Sequence, residues 1–145
     1  SKIGDNKHWG DRLLSGAVRP LLLLRVTVAI LLGIHGWFRA LTGGAWLFGG
    51  YLAEAGIPMG VAVAWGITLF EITGSALLAA GKRVRWIVLG HGFILSSGVV
   101  MVHAREGWFV VGGGRNGVEY SLLLLVCLIV LFMTNKPGNE GGLNR

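Results

Sequence analysis

Four apolar stretches dominate the chain: Pro20 to Phe38, Val61 to Ala80, Trp86 to Val102 and Val118 to Met133. Each approaches the roughly 20 residues that carry an α-helix across about 30 Å of hydrocarbon. Of 145 residues, 53% are hydrophobic and only 14% charged, a balance that excludes a soluble domain of this size. In lipid, backbone polar groups must be satisfied internally, so the spanning forms are helices and closed barrels; four long, continuous spans are too few for a barrel. The expected fold class is therefore an all-α membrane protein, a four-transmembrane-helix bundle. The chain divides into a polar cytoplasmic leader (1–18), a transmembrane domain (19–134) and a flexible cytoplasmic tail (135–145).

The net charge of +6 raises nucleic acid as a partner, but the cations cluster beside spans and not along one soluble face. Lys2, Lys7, Arg12, Arg19, Lys82, Arg83, Arg85, Lys136 and Arg145 fall on one side, against Arg39, Arg105 and Arg115 on the other. The positive-inside rule then puts both termini and the "GKRVRW" turn in the cytoplasm, with two loops outside. The leader does not read as a cleaved signal peptide, because "PLLLLRVTVAILLGI" holds an internal Arg and lacks a convincing small-x-small site. Cys127 is the sole cysteine and lies within the last span, which excludes a disulfide framework, a thiolate metal cluster and thiol exchange by this chain alone.

The first outer loop, "TGGAWLFGGYLAEAGIPMG", carries Gly pairs, a Gly-Ile-Pro stop and Trp46, Phe48 and Tyr51 as interfacial aromatics. A short interfacial helix is expected there. "GGGRNG" in the second loop lacks the Gly-Lys-Ser/Thr ending of a phosphate loop and follows no strand, so it reads as turn chemistry. Glycines within the spans let helix backbones approach closely in lipid. On the second span, Ala64, Thr68, Glu71, Gly74 and Ser75 share one face, which places Glu71 toward the bundle.

Ionisable groups at membrane depth cost several kcal/mol and are normally paired or set in a polar cavity. Counting from the inner ends puts Arg25, Glu71 and His91 within about 6 Å of one another in depth, a buried polar layer. A second, outer layer comprises His35 and Arg39 on the first helix, His103 and Glu106 on the third, and Asn116, Glu119 and Tyr120 opening the fourth. The bland reading pairs Arg25 with Glu71 to set helix register and puts Glu119 in the field of its helix N-terminus, with Asn116 as cap. The functional reading makes the set one polar cavity. His35 and His103 also raise haem ligation, and His35, His103 and Glu119 a metal site, although neither has motif spacing; no metal is assigned.

In order along the chain stand an Arg early in the first span (Arg25), His-Gly at its end (His35, Gly36), Gly-x-Pro before the second (Gly56, Pro58), a Glu in its middle (Glu71) and Glu-Tyr opening the fourth (Glu119, Tyr120). In that order, from about Leu21 to Phe132, the chain resembles the DoxX family of small four-span membrane proteins. Arg39 meets the basic position after His-Gly, and "MVHAREGWF" resembles the family's third-span exit. The resemblance implies a four-helix bundle in the bacterial inner (plasma) membrane, linked to thiosulfate:quinone, terminal oxidase or oxidative-stress redox systems.

Three readings of function follow. In the first, the outer cavity of His35, Arg39, His103, Asn116, Glu119 and Tyr120 binds a quinone or similar lipophilic redox molecule. Glu71 and Glu119 then carry protons, and a redox partner subunit supplies electrons. In the second, the chain is a non-catalytic membrane anchor or assembly subunit whose buried charges fix packing. In the third it is a small permease or proton path gated by Glu71, which a homo-oligomer would favour.

Overall fold

The computed structural model describes the backbone of residues 3–136, with side chains at residue 16 and over 18–136. In chain order it comprises α1 (Ile3–Thr42), α2 (Gly44–Glu54), α3 (Gly60–Ala79), α4 (Val84–Met101), a 3-10 turn at His103–Arg105, and α5 (Glu119–Thr134). No strand occurs among the described residues. Three segments are long and apolar enough to cross a membrane: Val18–Thr42, Gly60–Ala79 and Val84–Arg105. α5 is equally apolar but has 16 residues, about 24 Å of helix.

α1 runs unbroken for 40 residues, passing through Pro20 and on to Thr42, four residues beyond the end expected from the apolar pattern. His35 and Arg39 therefore belong to the same rigid rod as Arg25. The tail from residue 137 onward, and the leader's side chains before residue 16, lie outside the described residues.

A helix does form in the first loop. α2 ends where Gly56 and Ile57 donate back to the carbonyls of Ala53 and Leu52 at 3.0 and 2.9 Å, and Pro58 follows, so the Gly-Ile-Pro stop is a Schellman closure. α2 is seated tightly on α3: a β-carbon on Gly60 would stand 2.4 Å from the Gly49 carbonyl oxygen. Tyr51 Oη donates to the Met101 carbonyl at 3.2 Å and ties α2 to the end of α4.

The bundle thus has a loop end, bearing α2 and the second loop, and a basic-turn end, bearing Gly81–Arg83. Its apolar core joins Val28, Ala29 and Leu32 of α1, Leu78 of α3, Val84, Ile87 and Val88 of α4, and Leu124, Leu128 and Leu131 of α5. That core fills the basic-turn half. Outward faces are apolar too: Trp86, Leu89, Phe93 and Val100 make an exposed stripe along α4, as a lipid-facing surface requires. Buried polar side chains are few: Arg25, Thr68, Glu71, Ser75, His91 and Ser121 among the described residues.

Candidate functional site

α3 buries Gly60, Ala64, Thr68, Glu71, Gly74, Ser75 and Leu78, so the face of small and polar residues at three- and four-residue spacing is the one turned into the bundle. Opposite it stands α1. Gly36 makes the contact possible, because a β-carbon there would lie 2.9 Å from both the Thr68 carbonyl oxygen and Ile72. The helices close at that point, and the polar groups beside it must find partners in each other.

The partner of Glu71 is Arg39, not Arg25. Arg39 Nη2 donates to Glu71 Oε2 in an ion pair, the only one among the described residues. Arg39 Nε also donates to Thr68 Oγ1 at 3.3 Å, and the Thr68 hydroxyl in turn donates to the Ala64 carbonyl at 2.8 Å. The guanidinium lies 5.2 Å from the centre of the Phe48 ring on α2, in cation–π range. Glu71 has a side chain only 8% exposed, whereas Arg39 keeps 21% of its own, so the pair is sealed on the α3 side and reachable on the α1 side.

Depth counting placed Arg25, Glu71 and His91 in one layer, and all three are indeed buried, at 3%, 6% and 1% exposure. They do not form one cluster. Helical side chains lean toward their own N-terminus. α1 and α4 start at the basic-turn end and α3 at the loop end, so Arg25 leans away from Glu71 while Arg39 leans toward it. Arg25 reaches the end of α3, where Nη2 stands 3.5 Å from the Ala79 carbonyl and Nε is buried without a partner. The same rule brings His91 of α4 onto α3, with Nε2 3.5 Å from Ser75 Oγ and the imidazole centre 5.0 Å from that of Phe70.

The expected outer layer divides into two parts. His35 is exposed on α1, one turn from Arg39. His103, Asn116 and Glu119 instead build the second loop. His103 Nδ1 donates to the Asn116 carbonyl at 2.6 Å, and Glu119 Oε1 accepts from the Val110 amide at 2.7 Å. The amides of Gly117, Val118 and Glu119 bond back to the carbonyls of Phe109, Gly107 and Trp108 at 3.0–3.1 Å. Glu119 does open α5, but Asn116 is not its cap: Val118 holds that position, with no side-chain bond. Asn116 adopts a left-handed φ of 60° within the loop. Glu106 and Tyr120 are exposed. Among the described residues no group of three or more His, Cys, Asp or Glu side chains comes together as a metal would need, His35, His103 and Glu119 included.

The site the structure assembles is therefore Arg39, Glu71 and Thr68, walled by Phe48 and flanked by His35. Phe48 and Thr68 as partners of Arg39 were not anticipated. The lean of helical side chains was the available signal, and residue counting alone ignores it.

No curated protein and no solved structure matches the chain. The DoxX family model matches residues 20–104, from the start of the first span through α4 and into the 3-10 turn, and leaves Glu119 and Tyr120 outside the match. That match takes in Arg25, His35, Gly36, Arg39, Glu71 and His91, more than half of the chain, and the chain belongs to the DoxX family.

Proposed function

We propose that this DoxX-family membrane protein crosses the bilayer four times, with α5 as the fourth span and both termini in the cytoplasm, in a bacterial inner membrane. Within it, Arg39, Glu71 and His35 form the head-group site for a quinone or similar lipophilic redox molecule. The observation that carries this reading is the Arg39–Glu71 pair, a charge pair held at membrane depth and open on one flank. Such groups mark ligand and proton pathways by default, because their insertion is costly.

The residues suit a quinone head. Arg39 has five N–H donors, of which the bonds to Glu71 and Thr68 use two, so donors remain for a carbonyl oxygen. His35, exposed one turn away, supplies a second donor, and Phe48 offers an aromatic wall. A quinone supplies two-electron, two-proton redox chemistry. The chain's own part is to orient the head group and, at Glu71, to hold a proton beside it, with electrons coming from a redox partner subunit.

A second reading is favoured by one fact: Arg39 and Glu71 already satisfy each other, as a device for setting helix register would. Thermal melts with and without a soluble quinone analogue, on wild type, His35→Ala and Glu71→Gln, separate the two. Binding predicts a ligand-dependent shift in wild type that His35→Ala reduces without lowering the ligand-free melting point. No shift in wild type, together with a destabilised Glu71→Gln, sinks the quinone reading and leaves the packing role.

A further inference from the structure

We propose that the basic-turn end of the bundle holds a binding site for the phosphate of an anionic lipid, formed by Lys82 and Arg83 above the buried guanidinium of Arg25. The proposal rests on the membrane embedding of the helices and is independent of the quinone reading.

The case begins with a charge that has no carboxylate partner among the described residues. Arg25 is 3% exposed, its Nε has no partner, and its one hydrogen bond among the described residues, to the Ala79 carbonyl, is at the 3.5 Å limit. The negative end of the α3 dipole, about half a charge, offsets part of it. The carboxylates among residues 18–136 are Glu54, Glu71, Glu106 and Glu119. Glu71 is taken by Arg39 and lies about 15 Å along α3 from Gly81. The other three belong to the loop end. A guanidinium in a low-dielectric setting is left with surplus positive charge, and a buried charge of that kind calls for an anion.

The surroundings show where that anion goes. The guanidinium presses against the turn: a β-carbon on Gly81 would meet Arg25 Nη1 and Nη2 at 2.9 Å. Lys82 and Arg83 follow directly and are exposed. The amides of Gly81 and Lys82 are spent on the carbonyls of Leu78 and Leu77 at 3.0 and 2.9 Å, and recognition is assigned to the exposed side chains. Arg85 is also spent: its Nη1 donates to the carbonyls of Phe132 and Asn135 at 3.3 and 3.1 Å, and its guanidinium lies 3.8 Å from the Phe132 ring centre.

A lipid fits better than a soluble anion because the apolar stripe of Trp86, Leu89 and Phe93 starts beside the turn and runs on along α4. Phosphate and acyl chain would meet matching surfaces together. Juxtamembrane Lys and Arg residues attract anionic lipid head groups, and basic pockets beside transmembrane helices bind them.

The full chain, purified in detergent, is titrated with phosphatidylglycerol, phosphatidylcholine and inorganic phosphate, with retained lipid read by native mass spectrometry and stability by thermal melt. Preferential retention of phosphatidylglycerol is expected, weakened roughly thirtyfold in Lys82→Gln/Arg83→Gln. Both residues are exposed, so this variant keeps the test meaningful even where Arg25→Gln fails to fold. Equal retention of the two lipids, or unchanged retention in the double variant, overturns the proposal. Protection by inorganic phosphate equal to that by phosphatidylglycerol assigns the site to a soluble phosphate and overturns the lipid assignment.

Discussion

Glu71→Gln keeps the shape of the side chain and one acceptor oxygen but removes the charge that Arg39 faces. Removing one partner of a fully buried ion pair costs about 3–5 kcal/mol, and of an exposed pair about 0–1. Here Glu71 is 8% exposed and Arg39 21%, and the amide still accepts a bond from the guanidinium. The expected loss is thus about 2–3 kcal/mol, a shift in the unfolding equilibrium of roughly 30- to 150-fold. A double-mutant cycle with Arg39→Gln, read by reversible unfolding in mixed micelles, should return a coupling of about 2 kcal/mol. The parallel cycle of Glu71→Gln with Arg25→Gln should return less than about 0.5, since those residues share no partner. A larger coupling to Arg25 than to Arg39 would refute the side-chain geometry on which the site is built.

Three further outcomes can be checked on the same material. Gly36→Ala drives a methyl into the Thr68 carbonyl and Ile72, forces α1 and α3 apart and costs about 1–3 kcal/mol, and it should also lower the Arg39–Glu71 coupling. Gly81→Ala must adopt a φ of +73° and displace the Arg25 guanidinium; a loss of about 1–2 kcal/mol in the melt is expected, and a neutral result would contradict the turn described. Glu119→Ala removes a carboxylate bond to the Val110 amide worth about 1.5–3 kcal/mol. Hydrogen exchange at Val110 should speed by at least roughly tenfold while α5 keeps its protection.

The second loop shows how a residue can be legible in type while its bonding partners are not. Glu119 and His103 stand where an outer cavity was expected, yet each is bonded to the loop backbone and holds Gly107–Val118 in shape. Sequence separation does not reveal such bonds. The carboxylate of Glu119 and the Val110 amide are nine residues apart, and only the fold of the intervening chain brings them to 2.7 Å. Cap position was hidden too: Asn116 has the right side chain for a cap, but Val118 holds the cap position and Asn116 stands two residues before it with a left-handed φ of 60°.

The apolar segments, the loop helix, the Gly-Ile-Pro stop and the buried face of α3 were determined by the sequence alone. They are consequences of hydrophobic length, helical period and local turn chemistry, which a linear string carries in full. The pairing of charges was decided by tertiary structure. Arg25 and Arg39 sit on one helix and both lean toward its start, so the antiparallel placement of α3 sends one to Glu71 and the other to the basic turn. Which arginine pairs with Glu71, and which reaches the basic turn, depends on helix direction as well as depth, and helix direction acquires its meaning only when the helices are packed together.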